Sequence, residues 1–278
     1  MASATGVPQA LPEHIERADS GLPEEEPLLG RPGDACLPEG QPLYRNLYLG
    51  TFALPLPFRL SLCPSLIPLP GTAPIAQAGV LLLTILVWAS IFLHPLSLFS
   101  FHPLLNSSAI LFSTQAILIL QPTHTQTQKR QGTLTHFTIN FLAIDALIAA
   151  FVIIEYNKFA HKAPHFTSVH GKLGLITYCL LAIQALVGFT QYFVPSLYGG
   201  IDNAKAMYKW HRFSGYIILV MMLATVIAAT QTTTGKNFLE LKTWSVALAS
   251  VLVLVGLLPR IRRAKLGYLG GMERGVSL

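Results

Sequence analysis

Four histidines open four successive apolar runs. They sit in the stretches "FSFHPLLNSS", "TLTHFTINFL", "TSVHGKLGLI" and "KWHRFSGYII" as His102, His136, His170 and His211. Imidazole can donate, accept or bind a metal near neutral pH. A single histidine at a membrane surface needs no more than a headgroup or a water as partner, but four in corresponding positions on adjacent helices form a pattern. Consecutive spans run in opposite directions, so the starts of the second and fourth share one side and those of the third and fifth the other. His102 then pairs with His170, and His136 with His211, at separations of 68 and 75 residues.

Two neutral imidazoles facing each other across a helical bundle suit the two axial positions of a haem iron. Zinc would ask for four tetrahedral ligands, or three and a water, and no Cys, Asp or Glu stands near enough in the sequence to complete either set. One helical turn beyond each histidine, on the same face, come Asn106, Asn140, Gly174 and Gly215. The glycines suit either a flat macrocycle lying against the backbone or ordinary close packing of membrane helices. The asparagines suit a hydrogen bond to a neighbouring helix or to a haem edge. Two haem b groups, each held by two histidines, would make a path for single electrons across the bilayer, with neither iron readily open to oxygen.

Positioning such pairs requires spanning helices, and the composition provides them. The 278 residues are 52% hydrophobic and 12% charged, the balance of a membrane-embedded chain. Apolar runs long enough to cross a hydrocarbon core of about 30 Å fall at about 75–93, 103–121, 135–154, 171–193, 212–230 and 243–258. None alternates as a barrel strand does. The expected fold is an all-α integral membrane protein of six transmembrane helices with a four-helix, two-haem core in helices two to five, covering residues 75–265. Residues 1–42 read as a disordered acidic and proline-rich tail, 43–74 as a proline-broken apolar interfacial segment, and 266–278 as a C-terminal tail. No charged-then-apolar leader opens the sequence, so the first span is expected to act as the insertion signal. The motif "EEEPLL" (Glu24 to Leu29) has the form of a dileucine sorting signal for vacuolar or endolysosomal membranes, and equally of a stretch of solvated acidic tail.

Orientation follows from the basic residues. One side collects Arg59, Lys129, Arg130, Lys205, Lys209, Arg212, Arg260, Arg262, Arg263 and Lys265; the other has Lys158, Lys162, Lys172, Lys236 and Lys242. Both termini are therefore expected in the cytosol. The net charge of +6 reflects this collar on a protein of the lipid bilayer and implies no nucleic acid. The rim of Lys129, Arg130, Lys205, Lys209 and Arg212 would also draw a small anion toward the His136 and His211 side. Cys36, Cys63 and Cys179 fall in three different environments and imply no disulfide framework. Asp145, the one acidic residue well inside a span, is costly enough there to suggest function; it lies half a turn round from His136, and Gln115 or Gln184 is its expected hydrogen-bond partner.

In the order and spacing of His102, His136, His170 and His211 the chain resembles the cytochrome b561 family, six-helix proteins carrying two haems between helices two to five. The resemblance covers about residues 75–265. It implies that His102 and His170 ligate a non-cytosolic haem iron and His136 and His211 a cytosolic one. It implies electron transfer from a cytosolic donor, ascorbate, to monodehydroascorbate or ferric iron on the far side, with no catalytic side chain beyond the ligands and with homodimers common. Ascorbate-linked members carry basic residues before the second and fourth histidines; Arg130 and Lys205, each six residues ahead, are the matching substrate-binding candidates. Position 134 is Leu rather than basic, and "SSAILFSTQAILIL" replaces the arginine-containing signature of the second helix, so the chain is more similar to stand-alone b561-domain proteins. A ferric reductase or NADPH oxidase core would need two histidines on one helix and a glycine-rich nucleotide turn, both missing here. A haem-free six-helix transporter or scaffold with anchoring histidines is the remaining alternative.

Overall fold

In a computed structural model the described residues are 72–123, 125–261 and 266. The acidic tail, the dileucine motif, nearly all of the 43–74 segment, Cys36, Cys63, His124 and the 267–278 tail lie outside them. Among the described residues the chain is helical and has no strand. The six long helices are α1 (Ala73–Phe92), α2 (Leu98–Leu120), α3 (Gln126–Ala160), α4 (Val169–Phe193), α5 (Ile201–Ala229) and α6 (Thr243–Leu257). All six are long and apolar enough to cross a membrane, α6 together with the short turn that follows it.

Local chemistry sets where the histidine-bearing helices begin. The Ser97 and Ser100 side chains form a reciprocal capping box ahead of α2. Thr125 accepts from the Gln128 amide at 3.3 Å to start α3, and Ser168 from the Gly171 amide at 3.0 Å to start α4. Such caps satisfy amides that the first helical turn leaves orphaned. Between α4 and α5 the chain reverses through a short 3-10 turn and two glycines, Gly199 and Gly200, at φ 79° and 122°. A side chain at either position would be strained.

Five of the six helices start earlier than hydropathy indicates, α3 and α5 by the most. α3 begins at Gln126 and α5 at Ile201, so His136 and His211 each lie ten residues inside their helices, whereas His102 and His170 lie in the first turns of α2 and α4. Hydropathy detects the buried part of a helix, and here the backbone continues outward through polar turns that carry Lys129, Arg130, Lys205 and Lys209. α1 begins at Ala73, two residues ahead of the expected start.

α2 packs along α3, α4 along α5, and α1 along both α2 and α6. The α1–α6 contact is made close by glycine. A Cβ on Gly256 would stand 2.1 Å from the Ala76 amide nitrogen, and one on Gly79 2.6 Å from that of Val253. Buried Ala73, Ala76 and Ala249 complete this seam, the small-residue packing that membrane helices use. Gly256→Leu should therefore push α1 off α6, with a loss of about 1–3 kcal/mol or more. Thermal unfolding in detergent would detect it as an earlier transition.

Candidate functional site

The four histidines occupy two levels, and the hydrogen bonds across the helix pairs show how they are held. His102 Nδ1 meets the Ala150 carbonyl at 3.0 Å, while His136 Nδ1 meets the Ala116 carbonyl at 2.8 Å. Ala116 lies fourteen residues after His102 on α2, and Ala150 fourteen after His136 on α3. Fourteen residues are close to four turns, so histidine and acceptor share a helix face at two depths. The antiparallel α2 and α3 thus exchange one bond at each level.

α4 and α5 repeat half of this exchange. His170 Nδ1 meets the Thr225 carbonyl at 2.9 Å, and Thr225 is again fourteen residues after a histidine, His211. The corresponding carbonyl for His211 would be that of Gln184, fourteen after His170, but His211 Nδ1 is buried without a partner. The Gln184 side chain instead donates to the His211 carbonyl at 2.6 Å and accepts from the Ser214 hydroxyl at 2.7 Å. The His211 ring lies against Gly188, where a Cβ would come within 2.7 Å of Cε1 and 3.2 Å of Nε2.

At the outer level the rings of His102 and His170 face each other with centroids 6.3 Å apart and planes at 85°. Both line a cavity of about 250 Å³ shared by α2, α3, α4 and α5, whose walls include Asn106, Phe151, Gly174 and Tyr178. With each Nδ1 committed to a carbonyl, Nε2 is the nitrogen left for a ligand; such second-shell bonds fix the tautomer and orientation of a metal-binding histidine. Metal–nitrogen bonds of about 2.0–2.1 Å on either side of one ion would separate two rings by roughly 6 Å between centroids, which this pair matches. At the inner level His136 is held by the Ala116 carbonyl and the His211 ring lies against Gly188. An unpartnered buried ring nitrogen and a glycine cradle are features that a bound macrocycle would account for. Among the described residues no cluster of three or more His, Cys, Asp or Glu could hold a bare metal ion.

The asparagines brace the helices. Asn106 Nδ2 donates to the His102 carbonyl at 2.7 Å and Asn140 Nδ2 to the His136 carbonyl at 3.0 Å. Asn106 Oδ1 also accepts from the Tyr178 hydroxyl at 2.8 Å, tying α2 to α4. Of the glycines one turn beyond the histidines, a Cβ on Gly174 would stand 3.7 Å from the Thr225 methyl and one on Gly215 3.1 Å from the Gln184 amide nitrogen. Gly215 is a helix-packing position, and Gly174 also stands in the wall of the cavity that His102 and His170 line. The glycine that meets a histidine ring is Gly188, which no spacing from the histidines singles out.

Arg130 and Lys205 are exposed on the outward turns of α3 and α5. Each lies six residues, about 9 Å along the axis, beyond its histidine. Arg260 is buried at the same side and donates to Gln121 Oε1 at 3.0 Å. On the opposite side His165 Nδ1 pairs with Glu155 at 2.6 Å, and His161 Nδ1 with the Asn157 carbonyl at 2.7 Å. Asp145 bonds neither expected partner: Gln115 accepts from Gln77 at 3.1 Å and Gln184 is held by His211 and Ser214. Its carboxylate is exposed on the outer side of α3.

Fold and site together define a six-helix membrane protein whose middle four helices present paired histidines at two depths. The family model for eukaryotic cytochrome b561 matches residues 101–236, the segment that carries all four. Through this segment the chain is similar to the cytochrome b561 family, a family known to bind haem. It is 32% identical over 146 residues to transmembrane ascorbate ferrireductase 2 of Arabidopsis thaliana, covering 51% of this chain and 60% of that protein. It is 25% identical over 148 residues to a lysosomal membrane ascorbate-dependent ferrireductase of Bos taurus, covering 52% and 54%. The chain thus spans a little over half the length of these relatives.

Proposed function

We propose that this domain carries single electrons across a membrane between two haem groups, one held by His136 and His211 and the other by His102 and His170. Support comes first from the outer histidine pair, 6.3 Å between ring centroids with each Nδ1 bonded to a carbonyl of the facing helix. Bound haem supplies a one-electron ferric/ferrous couple. Held by His102 and His170 or by His136 and His211, each haem would supply electron transfer in preference to oxygen chemistry. Asn106, Asn140 and Gln184 stiffen the helix turns that carry three of these histidines, and the surrounding apolar helices exclude water.

The donor is ascorbate, arriving at the face that carries Arg130 and Lys205, and the acceptor on the other side is ferric iron or monodehydroascorbate. The relatives' names and the exposed basic turns of α3 and α5 support this. Exposed cations raise the local concentration of a small anion through a field that salt screens. The Arg130→Glu, Lys205→Glu double variant is expected to raise the KM for ascorbate several-fold, flatten its salt dependence and leave haem content unchanged. Steady-state reduction at two ionic strengths would check this. The face with Arg130 and Lys205 is assigned to the cytosol by the positive-inside tendency, and the compartment is an endomembrane like that of the lysosomal relative.

The deciding experiment is a reduced-minus-oxidised spectrum of the purified chain, with haem counted per chain and ascorbate compared with dithionite. Two b-type haems reduced by ascorbate are expected. Reduction by dithionite alone would reject ascorbate as donor, and absence of haem after expression with ample haem would reject the electron path and leave a haem-free transporter or scaffold.

A further inference from the structure

Asp145 occupies the centre of the apolar run 135–154 and is exposed on α3. The nearest charged residues along the helix are Glu155, ten residues onward, and Arg130, fifteen back. These are about 15 Å and 22 Å of helix, so the carboxylate sits deep in the hydrocarbon. Around it Phe141, Leu142, Ile148 and Val152 are 56%, 51%, 58% and 59% exposed, and Ala149 beside it is exposed and small. The packed face of the same helix carries Ala143, Leu147 and Ala150 on the opposite side. Among the described residues Asp145 has no hydrogen-bond or ion-pair partner.

Lipid tails offer a carboxylate nothing, and acidic residues in spans almost always face protein or water and pair with another group. We propose that this face of α3 docks a transmembrane helix of a partner membrane protein that brings a basic side chain to the depth of Asp145. Charge selects the occupant. A second copy of the chain in the same membrane has the same orientation and would set Asp145 against Asp145. The described Lys and Arg residues lie toward the two membrane surfaces, so among the described residues no face of a second copy offers a cation at that depth. The small Ala149 one turn away allows the approaching backbone to come close.

The test uses the full-length haem-loaded chain in phosphatidylcholine nanodiscs, with a labelled single-span leucine–alanine helix that carries one central arginine, and a twin that carries leucine there. Association is read by energy transfer to an acceptor dye on the chain. The arginine helix is expected to bind about five- to thirtyfold better than its twin, the range that interhelical polar contacts give model peptides. Asp145→Leu should abolish the preference. Ile148→Trp, which blocks the same face and keeps the carboxylate, should weaken binding of both helices, while Leu248→Trp on α6 should not. Haem content, unchanged in all three variants, shows that they fold. Equal binding of the two helices, or a preference that survives Asp145→Leu, overturns the proposal. Asp145-dependent pairing of the chain with itself that excludes the probe also overturns it, in favour of a second copy.

Discussion

Chains carrying His170→Ala are expected to bind half as much haem as the parent, and to lose it from the outer site alone. The reason lies in the separation of the two levels. His170 faces only His102, both orient through carbonyls at the outer level, and the inner pair draws its supports from Ala116, Gly188 and Gln184. The haem that remains should still be reduced by ascorbate, because the basic turns of α3 and α5 stand at its own side. Delivery of electrons to ferricyanide trapped inside proteoliposomes should fall to the level of empty vesicles. His136→Ala should show the mirror result: half the haem again, but the survivor slow to accept electrons from ascorbate. Haem quantification, spectra and the vesicle assay together read this. Loss of both haems in either variant would mean the pairs are not independent, and unchanged haem would mean that they are not ligands.

Gly188→Val should remove the inner haem as effectively as loss of a ligand, although residue 188 carries no chemistry. The first added carbon would stand 2.7 Å from Cε1 and 3.2 Å from Nε2 of His211. Contacts that short are not tolerated, so the ring must leave its place on α4. The ring's Nδ1 is already without a partner, so no hydrogen bond resists the displacement. The companion variant Gly174→Ala, at the level of His102 and His170, adds a carbon that among protein atoms meets the Thr225 methyl at 3.7 Å, an ordinary contact, and should keep the inner haem. Overpacking costs about 1–3 kcal/mol, so Gly188→Val should also unfold earlier on heating. Haem content measured below that transition separates the two effects. An inner haem retained in Gly188→Val would show that His211 has another way to reach its ligand.

Much of this arrangement was legible in the residues. Six runs of sufficient length and the alternation of their direction set His102 with His170 and His136 with His211, and the rings of the first pair do meet. What escaped reading has physical causes. Hydropathy follows contact with lipid, so the polar first turns of α3 and α5 were missed and His136 and His211 were placed too near helix starts. The carbonyls of Ala116, Ala150 and Thr225 orient three imidazoles, yet a carbonyl belongs to every residue, and only the recurring fourteen-residue offset marks them. Gly188 depends on how α4 crosses α5, which local sequence does not encode. Gly174 and Gly215 look equivalent in sequence, but Gly174 stands in the wall of the cavity that His102 and His170 line, whereas Gly215 meets the Gln184 side chain of α4. Asp145 was recognisable as costly, and its half-turn offset from His136 correctly placed it away from the histidine face. Neither expected partner meets it, because Asp145 lies on the exposed face of α3 while Gln115 is buried between other helices and Gln184 is held by His211 and Ser214.

The fourteen-residue offset has an electrical consequence. On α3 it separates His136 from Ala150, the residue that marks the depth of His102. That is about 21 Å of helix within a hydrocarbon core of about 30 Å. On the proposed path, an electron passing from one level to the other would move charge through roughly two-thirds of the insulating layer. Transfer is then coupled to transmembrane voltage by about 1.6 kcal/mol per 100 mV, the corresponding fraction of the work done on a charge that crosses completely. A potential negative on the His136 side pushes electrons outward, and the opposite polarity holds them back. Membrane voltage thus becomes a second driving force beside the redox difference between donor and acceptor.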